Sequence, residues 1–113
     1  MFEIDNEIVL VTGASRGIGQ SIALALGSRG ALVIGTATTE VGAQNITATF
    51  CDRGIRGKGE ILEVTKPESI MVLVKKIEKE FSPVSILINN AGITRDNLLI
   101  KMTNEEWNDV LDT

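Results

Sequence analysis

Hydrophobic positions along the chain fall into two alternating spacings. Short runs rich in Ile, Val and Leu occur at Ile8 to Thr12, Ala31 to Gly35, Glu60 to Val64 and Ser85 to Asn89. These runs are mostly continuous, the pattern of strands covered on both faces. Between them the apolar residues recur at helical intervals. Ile18, Ile22 and Leu26 lie four residues apart, and Gly30 is placed to end that helix as its C′ residue. A second helix starts near Thr39, pairs Ile46 with Phe50 and fails in a loop holding Gly54, Gly57 and Gly59. A third has Pro67 at N1 and sets Ile70, Val74, Ile77 and Phe81 on one face. Lys75, Lys76, Glu78, Lys79 and Glu80 lie mostly away from that face and read as its solvated side. Thr103-Asn104-Glu105-Glu106 is a capping box opening a fourth helix, where Trp107, Val110 and Leu111 are suited to a core or a subunit interface.

Four βα units in series, joined by right-handed crossovers, predict an α/β fold with a Rossmann-type doubly wound parallel sheet. The expected strand order is 3-2-1-4, and the ligand crevice opens at the carboxyl ends of the first and fourth strands. With Ser85 to Asn89 the last strand in sequence, its apolar edge is expected to stand open. The final helix, at about ten residues, is too short to persist alone. Both features predict a loosely packed or poorly soluble isolated chain.

The string VTGASRGIGQ, residues 11 to 20, lies where the first strand meets the first helix. Its glycines follow the spacing Gly13-x-x-x-Gly17-x-Gly19 instead of G-x-G-x-x-G. Gly13 supplies the φ freedom of a tight turn, Gly17 lets backbone N–H groups approach a diphosphate, and Gly19 allows close packing of helix on sheet. The helix N-terminus beyond them favours an anion. A Walker-type loop would need Gly-Lys-Ser/Thr at its end, but Gln20 follows Gly19.

Composition removes several alternatives. A net charge of −4 over 113 residues, with no long basic stretch, argues against a nucleic-acid footprint. The chain has no histidine, so His-based triads and most zinc sites drop out, and no metal site is expected. Cys51 is the single cysteine, which suits a reducing cytosol. Residues 1–7 carry three acids and no Lys or Arg, the reverse of a secretory signal, and no 18 apolar residues run together. A cytoplasmic location is expected.

A second constellation, Asn89-Asn90-Ala91-Gly92, closes the fourth strand. Together with Thr12-Gly13-Ala14-Ser15-Arg16-Gly17-Ile18-Gly19 it resembles the short-chain dehydrogenase/reductase family. Residues 33–43 and 89–113 look like the branch of that family that reduces 3-oxoacyl groups on acyl carrier protein in fatty-acid synthesis. The resemblance implies that residues 1–113 are the N-terminal, dinucleotide-binding part of a single Rossmann-type domain. It implies that Gly13, Ala14, Ser15, Arg16 and Ile18, with Gly19 behind them, wrap the cofactor diphosphate and adenosine ribose. By the same resemblance Thr38 reaches the 2′-phosphate, Glu63 and Val64 flank the adenine, and Asn90, Ala91 and Gly92 form the floor beneath the cofactor. Family members more often carry Asp or Asn at the Glu63 position, and a strand-end surface acid is the plain alternative there.

The end of the second strand bears on cofactor choice independently. NAD sites hold the ribose 2′-OH with an acid there, whereas NADP sites remove it and supply a cation. Here Gly35-Thr36-Ala37-Thr38 offers hydroxyls, Arg16 lies in the facing loop, and Glu40 falls about two residues later in a helical first turn. NADPH is the expected cofactor. The resemblance further implies a catalytic Ser, a Tyr-x-x-x-Lys motif and a relay Asn, all beyond Thr113, and the chain contains no Tyr. No catalytic residue is therefore expected within it, and the chain alone is expected to be inactive. Acyl carrier protein and a homotetramer are the implied partners, with no nucleic acid or membrane. A non-catalytic NADP-binding module and another ketoreductase, such as one acting on acetoacetyl-CoA, stay open as alternatives.

Overall fold

The computed structural model describes residues 7–63, 67–89 and 98–101. The elements are β1 (Ile8–Thr12), α1 (Gly17–Ser28), β2 (Leu32–Ala37), α2 (Glu40–Asp52), β3 (Gly57–Ile61), α3 (Pro67–Glu80), β4 (Ile86–Asn89) and β5 (Leu98–Lys101). They build one sheet in the order β3-β2-β1-β4-β5. The first four strands pair in parallel, with Val9 opposite Val33 on one side and Ile86 on the other. The strand order expected from the sequence is therefore present, extended by one strand.

The two faces of β1 explain why its sequence is apolar at every position but the last. Val9 and Val11 point into a cluster with Ala23, Val33, Ile46, Phe50, Ile86 and Ile88, on the side of α1 and α2. Ile8 and Leu10 point the other way, against Ile34, Leu73, Val74, Ile77, Val84 and Leu87, on the side of α3. Crossovers of one hand place α1 and α2 on one face while the chain steps outward, and place α3 on the other when it returns from β3 to β4. In open α/β sheets such a reversal, here between β1 and β4, is where ligands are bound. Each large side chain buried this way contributes roughly 1.5–3 kcal/mol.

Helix ends follow local rules. Arg29 caps α1, and Gly30, at φ 102°, turns the chain away. Thr39 caps α2, its hydroxyl accepting from the Gly42 N–H at 3.0 Å.

Several sequence expectations are corrected. The third strand runs over Gly57–Ile61, three residues before the expected Glu60 to Val64, and is only half-buried. Gly57 and Gly59 serve close packing there instead of a loop. A Cβ on Gly59 would lie 2.1 Å from the Ala43 carbonyl oxygen of α2, and one on Gly57 1.8 Å from that of Val33. Ile18 is 64% exposed, so α1 faces the core through Gly19 and Ala23 with Ile22 and Leu26 beside them. Phe81 lies past the end of α3, 40% exposed, with the Lys58 ammonium 5.9 Å from its ring centre. The edge of β4 is also covered. β5 pairs antiparallel along it, Ile86 opposite Lys101 and Asn89 opposite Leu98. An antiparallel partner needs no crossover helix, so a strand that begins shortly after β4 can reach that edge. The fourth helix, from Thr103, lies outside the described residues.

The charged side of α3 is not wholly solvated either. Lys58 of β3 meets Glu60 at 3.1 Å and Glu80 at 2.8 Å, and Lys76 meets Glu60 at 3.1 Å. Burial raises the Glu60 carboxyl, but its bonds from Lys58 and Lys76 outweigh this and hold it below the usual carboxylate range. The Glu80 hydrogen bond likewise raises the Lys58 ammonium against the opposing effect of burial. A carboxyl with a lowered folded pKa contributes stability that is full above its unfolded pKa and lost as pH falls through the folded value. Glu60→Gln is therefore expected to lower stability at pH 7 by up to about 1 kcal/mol. Thermal melts of both proteins from pH 7 downward should converge under acid conditions.

Candidate functional site

The loop that leaves β1 is shaped by glycine and anchored by β2. Gly13 and Gly17 stand at φ 66° and 65°, a conformation that costs other L-residues roughly 1–2 kcal/mol. The Gly13 N–H donates to Thr36 Oγ1 at 3.1 Å, and the Ala14 N–H donates to the Thr36 carbonyl at 2.8 Å. Ala14 is 2% exposed and sits over Gly35, where a Cβ would come within 2.9 Å of its own. The first two residues of the loop are thus bound inward, to the sheet.

The next residues face outward. Arg16, extended at φ −164°, caps α1 through its backbone without a side-chain bond to the helix. Ser15, Arg16, Gly17 and Ile18 are exposed, whereas Gly19 is buried against the sheet. The amides of Gly17, Ile18 and Gly19 open α1, the turn whose N–H groups have no acceptor within the helix. The positive end of the helix dipole lies there as well. A Cβ on Gly17 would meet nothing within 4 Å, so the space before it is free.

Ala37 and Thr38, at the end of β2, form the opposite wall, and α2 is brought close behind by Gly42, where a Cβ would lie 2.7 Å from that of Ala37. Between the walls is a cavity of about 380 Å³ lined by Gly13, Ser15, Arg16, Gly17, Thr36, Ala37, Thr38 and Leu62. Among the described residues no carboxylate stands in this lining. Glu40 is the first residue of α2, where its carboxylate accepts from Gln44 Nε2 at 3.4 Å. On the other flank of β1, the Thr12 hydroxyl donates to Asn89 Oδ1 at 3.1 Å and ties the ends of β1 and β4 together.

The structure therefore brings Gly13, Ser15, Arg16, Gly17 and Thr38 around one space, with Ala14 and Gly19 packed beneath it. Glu63 does not line that space. It borders an adjoining groove of about 320 Å³, with Glu60, Glu68, Ser69, Val72 and Lys76, which shares Leu62 with the cavity. Val64, Asn90, Ala91 and Gly92 lie outside the described residues. Thr36, Ala37 and Leu62 line the cavity, and the sequence does not single them out as site residues. The one signal for Thr36 is a hydroxyl between Gly35 and Ala37, at the end of an otherwise apolar run. Among the described residues no group of His, Cys, Asp and Glu is placed to hold a metal ion, and no helix is long and apolar enough to cross a membrane.

The short chain dehydrogenase family profile matches residues 7–113, which takes in the glycine loop, β1 to β5 and the three helices. The chain belongs to this family. Among short chain dehydrogenases it is 58% identical over 109 residues to the 3-oxoacyl-[acyl-carrier-protein] reductase FabG of Escherichia coli strain K12. It is 56% identical over 110 residues to the reductase of the same name from Vibrio cholerae, and 49% identical over 110 residues to that from Pseudomonas aeruginosa. These matches cover 96–97% of the chain, which spans 43–44% of the relatives' length. The family pattern accounts for the local geometry, since both left-handed residues of the loop are glycine. Gly17→Ala is expected to cost about 1–2 kcal/mol through backbone strain alone, with Gly17→Asn costing less because Asn tolerates that region. Denaturant midpoints of the three proteins measure the order.

Proposed function

We propose that this chain is the NADPH-binding part of a reductase that converts 3-oxoacyl-[acyl-carrier-protein] to the 3-hydroxyacyl form. One observation carries the reading: a cavity at the carboxyl ends of β1 and β2 is lined by helix-opening backbone, an arginine and hydroxyls, with no carboxylate. Such a donor set suits a diphosphate together with a second phosphate, and it offers nothing to hold a free ribose 2′-OH in the manner of an acid at the second strand.

In this reading the first-turn amides of α1 hold the diphosphate, with Ser15 beside them. Arg16 and Thr38, from opposite walls, hold the 2′-phosphate. Ile18 presents an exposed apolar surface at the mouth. Gly13, Ala14 and Gly19 act through the backbone path. Glu63 and Val64 flank the adenine, and Asn90, Ala91 and Gly92 supply the floor. When bound, the nicotinamide supplies a hydride to the 3-oxo carbon.

The alkoxide formed must take up a proton, and a positioned acid is worth typically 10²–10⁴-fold. The chain has neither Tyr nor His to serve. We assign that acid, and the groups that align the substrate, to sequence outside these 113 residues, in line with the greater length of the relatives. Contacts to acyl carrier protein and a homotetrameric assembly belong to the same reading, set in the cytoplasm. A carrier-protein surface that is itself acidic calls for basic residues, and this segment is acidic at −4.

Two outcomes test the proposal. Arg16→Ala in an intact reductase carrying this segment should raise the Kd for NADPH by about ten- to a hundredfold, the worth of one charge-assisted contact, and leave NADH within about threefold. Equal losses for both cofactors would overturn the 2′-phosphate assignment. NADPH oxidation with acetoacetyl-CoA should be undetectable with the chain alone and appear only when the remainder of the reductase is supplied. Turnover by the chain alone would refute the division of labour.

A further inference from the structure

We infer that the Thr36 hydroxyl is a positioning group for the anion-binding loop, holding Gly13 so that the amides from Gly17 onward face a phosphate. The inference rests on the reading of the cavity as the NADPH site, and it adds a residue that the loop motif does not contain.

Thr12 and Thr36 are the two buried polar residues among those described, at 0% and 1% exposure. A hydroxyl in a doubly covered strand is costly to bury unless it is bonded. Thr12 bonds to Asn89 within the sheet. Thr36 instead bonds to a loop, and does so twice. Its Oγ1 accepts from the Gly13 N–H at 3.1 Å and its carbonyl accepts from the Ala14 N–H at 2.8 Å. Any residue at position 36 would supply the carbonyl; only a hydroxyl supplies the other acceptor.

At 1% exposure the side chain has almost no surface to offer a ligand, so its effect passes through Gly13. Gly13 is where the chain turns out of the sheet at φ 66°, and a glycine turn has many alternative conformations to choose from. The Thr36 bond removes that choice before any ligand arrives. The loop is therefore built without the ordering cost that a free glycine segment would impose on binding.

Substitution separates this role from simple packing. Thr36→Val keeps the shape and deletes the acceptor; Thr36→Ser keeps the acceptor and deletes a methyl group. Ser and Cys at position 36 form a second pair, nearly equal in size and differing in acceptor strength. NADPH binding is read by fluorescence titration of an intact reductase carrying this segment, beside thermal melts and amide exchange at Gly13 and Val11. The wild type and Thr36→Ser should bind within about twofold of each other, and Thr36→Val should bind about tenfold more weakly, the scale of one hydrogen bond. Thr36→Cys should fall on the weak side. Gly13 exchange should accelerate in the Val and Cys variants, while Val11, inside β1, stays protected. If Thr36→Val does not fold, the Ser and Cys pair decides. Equal NADPH affinity across the variants, with the wild type binding normally, would overturn the inference and leave the cofactor assignment standing. A wild type that binds no NADPH would overturn both, even with the exchange pattern as expected.

Discussion

β1 has no side turned to water, and the rest of the molecule is arranged around that constraint. Its five residues, Ile8 to Thr12, are all buried, and its apolar side chains alternate between the α1–α2 layer and the α3 layer. A strand covered on both faces and paired on both edges is fixed in register by every neighbour, since a one-residue slip would exchange its two faces. Its C-terminal end is consequently the most rigidly placed point on that edge of the sheet. The loop begins there, and so does the cavity toward β2.

Fixing the end of β1 divides the backbone amides beyond it by direction. Those of Gly13 and Ala14 are taken up by Thr36, which welds the loop to β2. Those opening α1 carry the positive end of a 12-residue helix toward the cavity. The loop can present these donors outward because its first two are bound inward. Arg16 sits at the changeover, extended, with its side chain uncommitted to the helix it caps. Charge across β3 and α3 obeys a different logic. Lys58, Glu60, Lys76 and Glu80 form ion pairs with one another there, while Arg16 and the start of α1 stand at the cavity.

Legibility in the sequence tracks how local each cause is. β1 is bounded by its own apolar run and by Gly13, and its residues are those expected. Helix ends are readable at Thr39 and Gly30, where one residue carries the capping chemistry. β3 is not, because glycine speaks for a loop when read locally and for close packing when α2 is present. Gly59 is needed only because the Ala43 carbonyl lies where its side chain would go. Ile18 misleads for the opposite reason: helical spacing counts an apolar residue as core, although this one opens a helix whose N-terminus faces a cavity. At the site, glycine spacing announces the loop, and the lack of an acid after β2 announces the character of its lining. The role of Thr36 cannot be read locally, since its partner stands 23 residues away and the bond exists only once β1 and β2 pair.

The contact of α2 with β3 decides which wall of the cavity can adapt to a ligand. α2 meets the sheet at glycine twice, with Gly59 of β3 against Ala43 and Gly42 against Ala37 of β2, beside the larger Ile46 and Phe50 side chains packed into the same face. Small displacements of a packed helix are normally absorbed by rotamer changes, and a glycine contact has no rotamer to change. The backbone of the wall carrying Ala37 and Thr38 is therefore held close to the sheet. Across the cavity, Arg16 and Ile18 are exposed side chains on the surface of α1 and its cap. Side-chain adjustment to a ligand is open to Arg16 and Ile18 on that side and to the exposed Thr38 on the other, where the backbone behind it is set by the sheet.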